Sequence, residues 1–400
     1  MTAKNIALFV DGTWNAPTPF EDTNVRKLFE WSLVPDTPSD PQQVCCYLPG
    51  VGEDMAHMSA SVNTTARTRP RLDIGRPLRR VLDRVWNAGA GGVGGWGTAR
   101  RIQEAYRFLC EEYQRGDRIF IFGFSRGAFA ARSLAGFVSR VGVLLAHRID
   151  EVGEAYRLYE LAPDASQPWL AEHMRRLELR MIQTLEDEDA LPIHFMGVWD
   201  TVGALGLPRR LSIFSAPFTE HHQVDVPPNV FSARHAMALH ELRPDFDLML
   251  WSNTSMHPDL LQVWFPGDHS DVGGGHGQSR AGYADTALHW MAQEASSKGL
   301  RLNNHVPQLN RRELHQQSLW FLINSPLIRP EIRELSRFTG PNWDHASYCH
   351  CSVENHLSDY TGQGYKFLNA GLNSALTSVD LLAGELMTKA QTRNLVVGLC

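Results

Sequence analysis

Short apolar runs recur along this chain, and each stops at a turn of polar or glycine residues. Ile6 to Val10 leads into Asp11-Gly12-Thr13, Val44 to Leu48 into Pro49-Gly50, and Ile119 to Phe124 into Ser125. Ile193 to Val198 leads to Asp200, and Leu261 to Phe265 into Pro266-Gly267-Asp268-His269. Runs this short, without strict polar–apolar alternation, fit strands buried on both faces. Between two of them, "ARRIQEAYRFLCEEYQRGD" places Ile102, Ala105, Phe108, Leu109 and Tyr113 at helical spacing and stops at Gly116. The alternation predicts an α/β fold, a mainly parallel sheet with helices on both faces. In such sheets ligands sit beyond the carboxyl ends of the strands, which would gather Asp11, Ser125, Asp200 and His269 at one edge.

At 400 residues and 43% hydrophobic content the chain can bury a large core. No repeat or low-complexity linker divides it, so we read residues 1–400 as one domain. Insertions are expected near 149–191 and 204–229, with a C-terminal extension from about 301 to 400. A net charge of −6 lacks the basic face that nucleic acid requires, so no nucleic-acid partner is expected. Six cysteines, two of them adjacent at Cys45 and Cys46, do not make a disulfide framework in so long a chain, and reduced thiols are expected. The start "MTAKNIALFVDGTWN" reaches Asp11 too soon for a secretory signal, and no segment approaches the ~20 apolar residues of a spanning helix. The expectation is synthesis in the cytoplasm, with any export using a route that reads no N-terminal signal.

Gly123-Phe124-Ser125-Arg126-Gly127 fits G-x-S-x-G. In that motif the glycines permit a sharp strand-to-helix turn and the serine hydroxyl points into the site. Here the motif follows a strand-like run and opens an amphipathic segment, as it must. A serine hydroxyl attacks only when a base removes its proton and a carboxylate orients that base. Among seventeen histidines, His269 stands in a glycine-rich loop after a strand, and Asp200 likewise follows a strand. Ser125, Asp200 and His269 then run in the order serine, acid, histidine. Taken singly, Asp200 could cap a helix and His269 could be an ordinary loop residue. The oxyanion hole would use the Arg126 backbone N–H with a second donor from the "DGTWN" turn, Gly12 or Thr13, and Asp11 would brace that turn. No cofactor and no metal are expected.

"LFVDGTWN", "GDRIFIFGFSRGAFAARSLAGFV", "FMGVWDTVGALG" and "VWFPGDHSDVGGG" together resemble the successive motifs of an α/β-hydrolase family that includes phospholipase effectors of type VI secretion systems. The resemblance runs from Ile6 to about Leu300, with an echo in "HCSVENHLS". It implies Ser125 as nucleophile, Asp200 as triad acid and His269 as base. It further implies a serine hydrolase acting on carboxylic esters of lipids, a peripheral membrane contact, and a secretion-system or immunity partner of unknown identity. The resemblance also implies a helix ending in "ALHELRPDF", where relatives carry Asp-Glu and this chain has His240-Glu241. The segment "ALGLPRRLSIFSAPF" could be a lid whose Arg209 and Arg210 pair with phosphate, or an ordinary packed insertion.

Two other classes stay open. A metal-dependent phosphohydrolase could use Asp11, Asp200, Asp268, His269, Asp271 and His276 as ligands. A non-catalytic binding protein could stand on the same scaffold. "GAGGVG", from Gly89 to Gly94, matches G-x-G-x-x-G but follows a helix-like segment, so it reads as a loop and not a dinucleotide cradle. His345, Cys349, His350, Cys351 and His356 cluster in sequence, at a spacing unlike the common zinc patterns.

Overall fold

A computed structural model describes residues 3–12, 22–37, 40–50, 58–60, 95–161, 193–203, 225–243, 246–252, 256–275, 282–303, 347–360, 370–392, 394 and 396–397. Most of these belong to, or pack on, one sheet of nine strands. Third from one edge is β1 (Asn5–Val10), flanked by β2 (Gln43–Leu48) and β4 (Arg118–Phe124), with β3 (Met58–Ala60) at that edge. From β4 the sheet continues through β5 (Ile193–Trp199), β6 (Ala233–Ala238), β7 (Leu260–Phe265), β8 (Ser347–His350) and β9 (Val396–Val397). Every pairing except β2 with β3 is parallel.

Parallel strands need helical crossovers, and the sequence supplies them on both faces. Ile6 and Leu8 of β1 point with Ile119 and Ile121 of β4 toward α2 (Gly95–Glu112), α3 (Arg126–Val141) and α4 (Val152–Leu161). Their neighbours Ala7, Phe9, Phe120 and Phe122 face the other way, against α1 (Asn24–Trp31) and α6 (Gly282–Ser297). This two-sided burial explains why the strands read as unbroken apolar runs. The α2 helix ends a few residues before Gly116, whose φ of +96° suits glycine alone without strain.

The strand order reverses at β1. The chain leaves β1 for β2 and β3, then crosses back to β4 on the other side. Connections diverge there, and the carboxyl ends of the strands at such a reversal are where sheets of this kind offer a ligand a place. Asp11 follows β1 and Ser125 follows β4, at that reversal.

Two expectations need correcting. The stretch entering "ALHELRPDF" is strand β6 and the turn after it, not a helix. Its residues Ala233, Ala236 and Ala238 are good helix formers, but small side chains also suit a central strand, and burial between β5 and β7 decides the outcome. The thiols are not all reduced either. Cys45, Cys46, Cys110 and Cys349 are free, whereas Cys351 is disulfide-bonded.

The C-terminal residues are not a detached tail. Val353 of α7 (Ser352–Tyr360) and Val379, Ala383 and Leu386 of α8 (Ala370–Thr392) pack with Met237, Leu239 and Trp264 as a third apolar cluster. Of the expected insertions, residues 162–192 and 204–224 lie outside the described residues.

Candidate active site

At the end of β4 the backbone turns so sharply that Ser125 adopts φ 59° and ψ −126° before α3 begins. A side chain in that conformation is strained by roughly 1–3 kcal/mol. The flanking glycines make it feasible. A Cβ on Gly123 would lie 2.7 Å from Ala128 Cα, and one on Gly127 would lie 2.7 Å from the Asp11 carbonyl carbon and collide with Val10 O. Strand and helix therefore approach too closely for any side chain at either position. The Ser125 N–H donates to Trp199 O at 3.1 Å, so the turn is tied to the end of β5 as well.

The same strand end presents Asp200, another non-glycine residue at positive φ (39°). Its Oδ1 accepts the Ala238 N–H at 2.9 Å, and its Oδ2 accepts from His269 Nδ1 at 2.6 Å. Because an ionised carboxylate only accepts, the His269 proton sits on Nδ1 and leaves Nε2 as an acceptor. Ser125 Oγ lies 2.8 Å from that Nε2. Ser125, His269 and Asp200 thus form one hydrogen-bonded chain, and all three are buried. The imidazole is held between two rings, Phe124 at 4.6 Å and Phe246 at 4.8 Å.

His269 opens α5 (His269–Gly273), a single turn capped by Asp268. Asp268 Oδ1 accepts the N–H groups of Ser270 and Asp271, and Asp271 Oδ2 accepts the Asp268 N–H. Glu241 Oε2 accepts the His269 N–H at 3.3 Å. Glu241 is itself fully buried and gripped by the Arg243 guanidinium at 2.7 and 2.8 Å. Burial alone would lower the Arg243 pKa, but the Glu241 carboxylate, with Asp268 and Asp200 beyond it, outweighs this and leaves it raised. His235 steadies the loop of Asp200: its Nε2 accepts the Thr201 N–H at 3.2 Å and its Nδ1 faces Gln262 Oε1. None of Glu241, Arg243, Phe246 or His235 carries a local sequence signal for these duties.

Arg126, whose N–H was assigned to the oxyanion hole, is the first residue of α3, where helix N–H groups lack intrahelical partners. Burial lowers its guanidinium pKa. The Gly12 assignment needs correction, because its N–H donates to Asp11 Oδ1 at 2.7 Å within its own turn. Asp11 does brace that turn, its Oδ2 accepting from Thr23 Oγ1 and Tyr47 Oη, both at 2.6 Å. Thr13, Arg209, Arg210, His276, His345 and the 89–94 glycines lie outside the described residues.

The carboxylates of the metal alternative are therefore not convergent: Asp11 serves its turn, and Asp268 and Asp271 cap each other. His356 meets His240 and Asp380, with ligand atoms within 4.8 Å of one another. Burial pushes the Cys45, Cys110 and Cys349 thiols up to about 12, which removes them as thiolate nucleophiles. Among the described residues no helix is long and apolar enough to cross a membrane.

Comparison with known proteins adds kinship. The yeast (Saccharomyces cerevisiae) protein YEL023C, uncharacterized, is 32% identical over 266 residues, which are 66% of this chain and 35% of that one. An uncharacterized Pseudomonas aeruginosa protein of known structure matches at 18% identity and TM-score 0.38, over 75% of this chain and 46% of that one. The structure of a Tle1 effector bound to the VgrG spike of a type VI secretion system matches at 19% and 0.36, over 68% and 51%. This chain thus spans between a third and about half of the relatives it matches. The family model described as type VI secretion system phospholipase effector Tle1-like, catalytic domain, takes in residues 4–294. With well over half of its 400 residues inside that match, this chain belongs to the family of Tle1-like phospholipase effector catalytic domains.

Proposed function

We propose that this protein is a serine hydrolase of lipid carboxylic esters, with glycerophospholipids as the substrate class. One observation carries the reading: Ser125 Oγ, His269 and Asp200 lie in series at 2.8 and 2.6 Å, with Ser125 on a strained strand-to-helix turn. Family membership supports a lipid ester as substrate.

In this reading Ser125 Oγ attacks the ester carbonyl carbon while His269 Nε2 takes its proton. Asp200 keeps the imidazole in the tautomer that can accept it and stabilises the imidazolium. The oxygen that becomes negative faces the Arg126 N–H and the positive end of α3. Collapse of the tetrahedral species expels the alcohol, which leaves with the proton from His269. Water, deprotonated in turn by His269, then attacks the acyl-serine ester, releasing the carboxylic acid and restoring Ser125. Arg209 and Arg210 would pair with the substrate phosphate, on the strength of their place in an apolar segment. A secretion-apparatus partner and a peripheral contact with the target bilayer belong to the same reading.

Labelling with a fluorophosphonate tests the core of it. Adduct formation at Ser125 in the parent, and its loss in Ser125→Ala, is the expected result. No adduct, together with activity abolished by a chelator, would favour the metal alternative. Hydrolysis of phospholipid vesicles against short soluble esters then tests the substrate class.

A further inference from the structure

The family match ends at residue 294, and α8 begins at Ala370, well beyond it. Nothing in the triad reading gives that helix a task. Its residue Asp380 is nevertheless buried, and Oδ1 receives two imidazoles: His240 Nε2 at 3.1 Å and His356 Nε2 at 3.2 Å.

His240 connects this helix to the loop of the base. Its backbone N–H donates to Gly267 O at 2.8 Å, and its ring Nδ1 accepts the Gly267 N–H, also at 2.8 Å. Gly267 sits two residues before His269, at a φ of +103°. The next residue along, Glu241, takes the N–H of His269 itself. Residues 240 and 241 therefore hold the alternate N–H groups of the loop that carries the base.

The tautomer fixes what the cluster is. With the Nδ1 lone pair of His240 directed at a backbone N–H, the neutral ring carries its proton on Nε2. That proton points at Asp380, so His240 donates there and has no lone pair left for a cation. A ligating histidine would instead present an N–H on its far nitrogen to an acceptor, the reverse of what Gly267 offers. His356 Nδ1 lies 3.3 Å from Tyr283 Oη, a hydroxyl that can donate or accept, so the tautomer argument rests on His240.

We propose that Asp380 is a positioning residue for His269: by accepting the Nε2–H of His240 it locks that ring against Gly267 and so sets the loop geometry. The region after the family match thereby completes the site, and the inference rests on the triad reading above. Misplacing a base by a fraction of an ångström lowers kcat without disturbing substrate affinity.

Full-length protein and its variants serve for the test, with fluorophosphonate labelling, steady-state hydrolysis of a p-nitrophenyl ester and circular dichroism. A parent that takes no label at Ser125 ends the triad reading and this inference with it. Given labelling, Asp380→Ala is expected to lower kcat about 30-fold with KM within about twofold, and Asp380→Asn, which keeps an acceptor for both rings, to return to within about threefold of the parent. In a His240→Ala background the Asp380→Ala change should add no more than about twofold, since its effect runs through that ring. A parent-like kcat in Asp380→Ala, a full additional loss in the His240→Ala background, or stoichiometric bound metal that Asp380→Asn releases would each overturn the proposal. Should Asp380→Ala lack a native spectrum, His240→Ala decides: about 30-fold lower kcat at unchanged KM supports the inference, and parent kcat sinks it.

Discussion

Ser125 sits on a turn built by its own neighbours in sequence, while His269 sits on a loop built by residues far from it. Gly123 lets β4 and α3 close on each other, Gly127 lets α3 close on the end of β1, and Ser125 between them takes a positive φ. The His269 loop instead depends on Asp200, Glu241 and Gly267, and through His240 on Asp380. Strain is stored where the chain is locally determined, and precision is borrowed from elsewhere where it is not.

The largest effect should fall on the local side. Ser125→Ala removes only a hydroxyl, so fold and melting temperature should stay near the parent's while kcat falls by roughly 10⁶, as with nucleophile knockouts in other serine hydrolases. Ester hydrolysis within tenfold of the parent would dissolve the contrast altogether, since the turn would then have no chemical purpose. Gly127→Ala tests the scaffold under the same residue. Its Cβ would collide with the backbone of Val10 and Asp11, which cannot yield as a flexible side chain could. Loss of soluble protein, or destabilisation of about 3 kcal/mol or more by denaturant titration, is expected.

The difference also explains what the sequence made legible. G-x-S-x-G is contiguous, its glycines are diagnostic of close approach, and the strand before it is an apolar run. Asp200 and His269 followed from their positions at strand ends. Glu241 could not be read that way, because its task is to receive an N–H from a residue 28 positions later. Gly12 misled for a related reason. Its turn looked like a donor, but the side chain one residue earlier turns back and captures the N–H. Strand β6 reads as helix only through the resemblance, and pairing between β5 and β7 makes it a strand.

Glu241→Gln is the sharper probe of the distant side. The amide keeps an oxygen for one N–H but loses the charge that holds Arg243 and receives His269 N–H. A loss of about 2–3 kcal/mol in stability is expected, of the order of a charge-assisted hydrogen bond. Activity should fall further than stability accounts for, with kcat lower at temperatures where the variant remains folded. If kcat held while stability fell, Glu241 would support the core and not the base.

The smallest effect separates the two regions by pH. His350, at the end of β8, is buried and stacked on Phe265 at 4.6 Å, and its Nδ1 accepts the Ser352 N–H. Desolvation lowers its pKa from 6.5 to about 4. In the folded state the ring therefore resists a proton that the unfolded chain accepts. Unfolding takes up a proton between those two values, so the contribution of the neutral ring is complete above about 6.5, declines as pH falls, and is exhausted near 4. His350 stands on β8, beside the strand that leads into the His269 loop and four places along the sheet from β4, which carries the Ser125 turn. Acidification across this window should weaken amide protection in β8 and residues 267–273 before it weakens β4 and α3. His350→Phe, which keeps the stacking but cannot take a proton, should flatten the pH dependence of the melting temperature there. Hydrogen exchange at pH 7 and pH 5 is the measurement. Equal loss in both regions would mean that the turn and the loop open as one unit, however differently they are built.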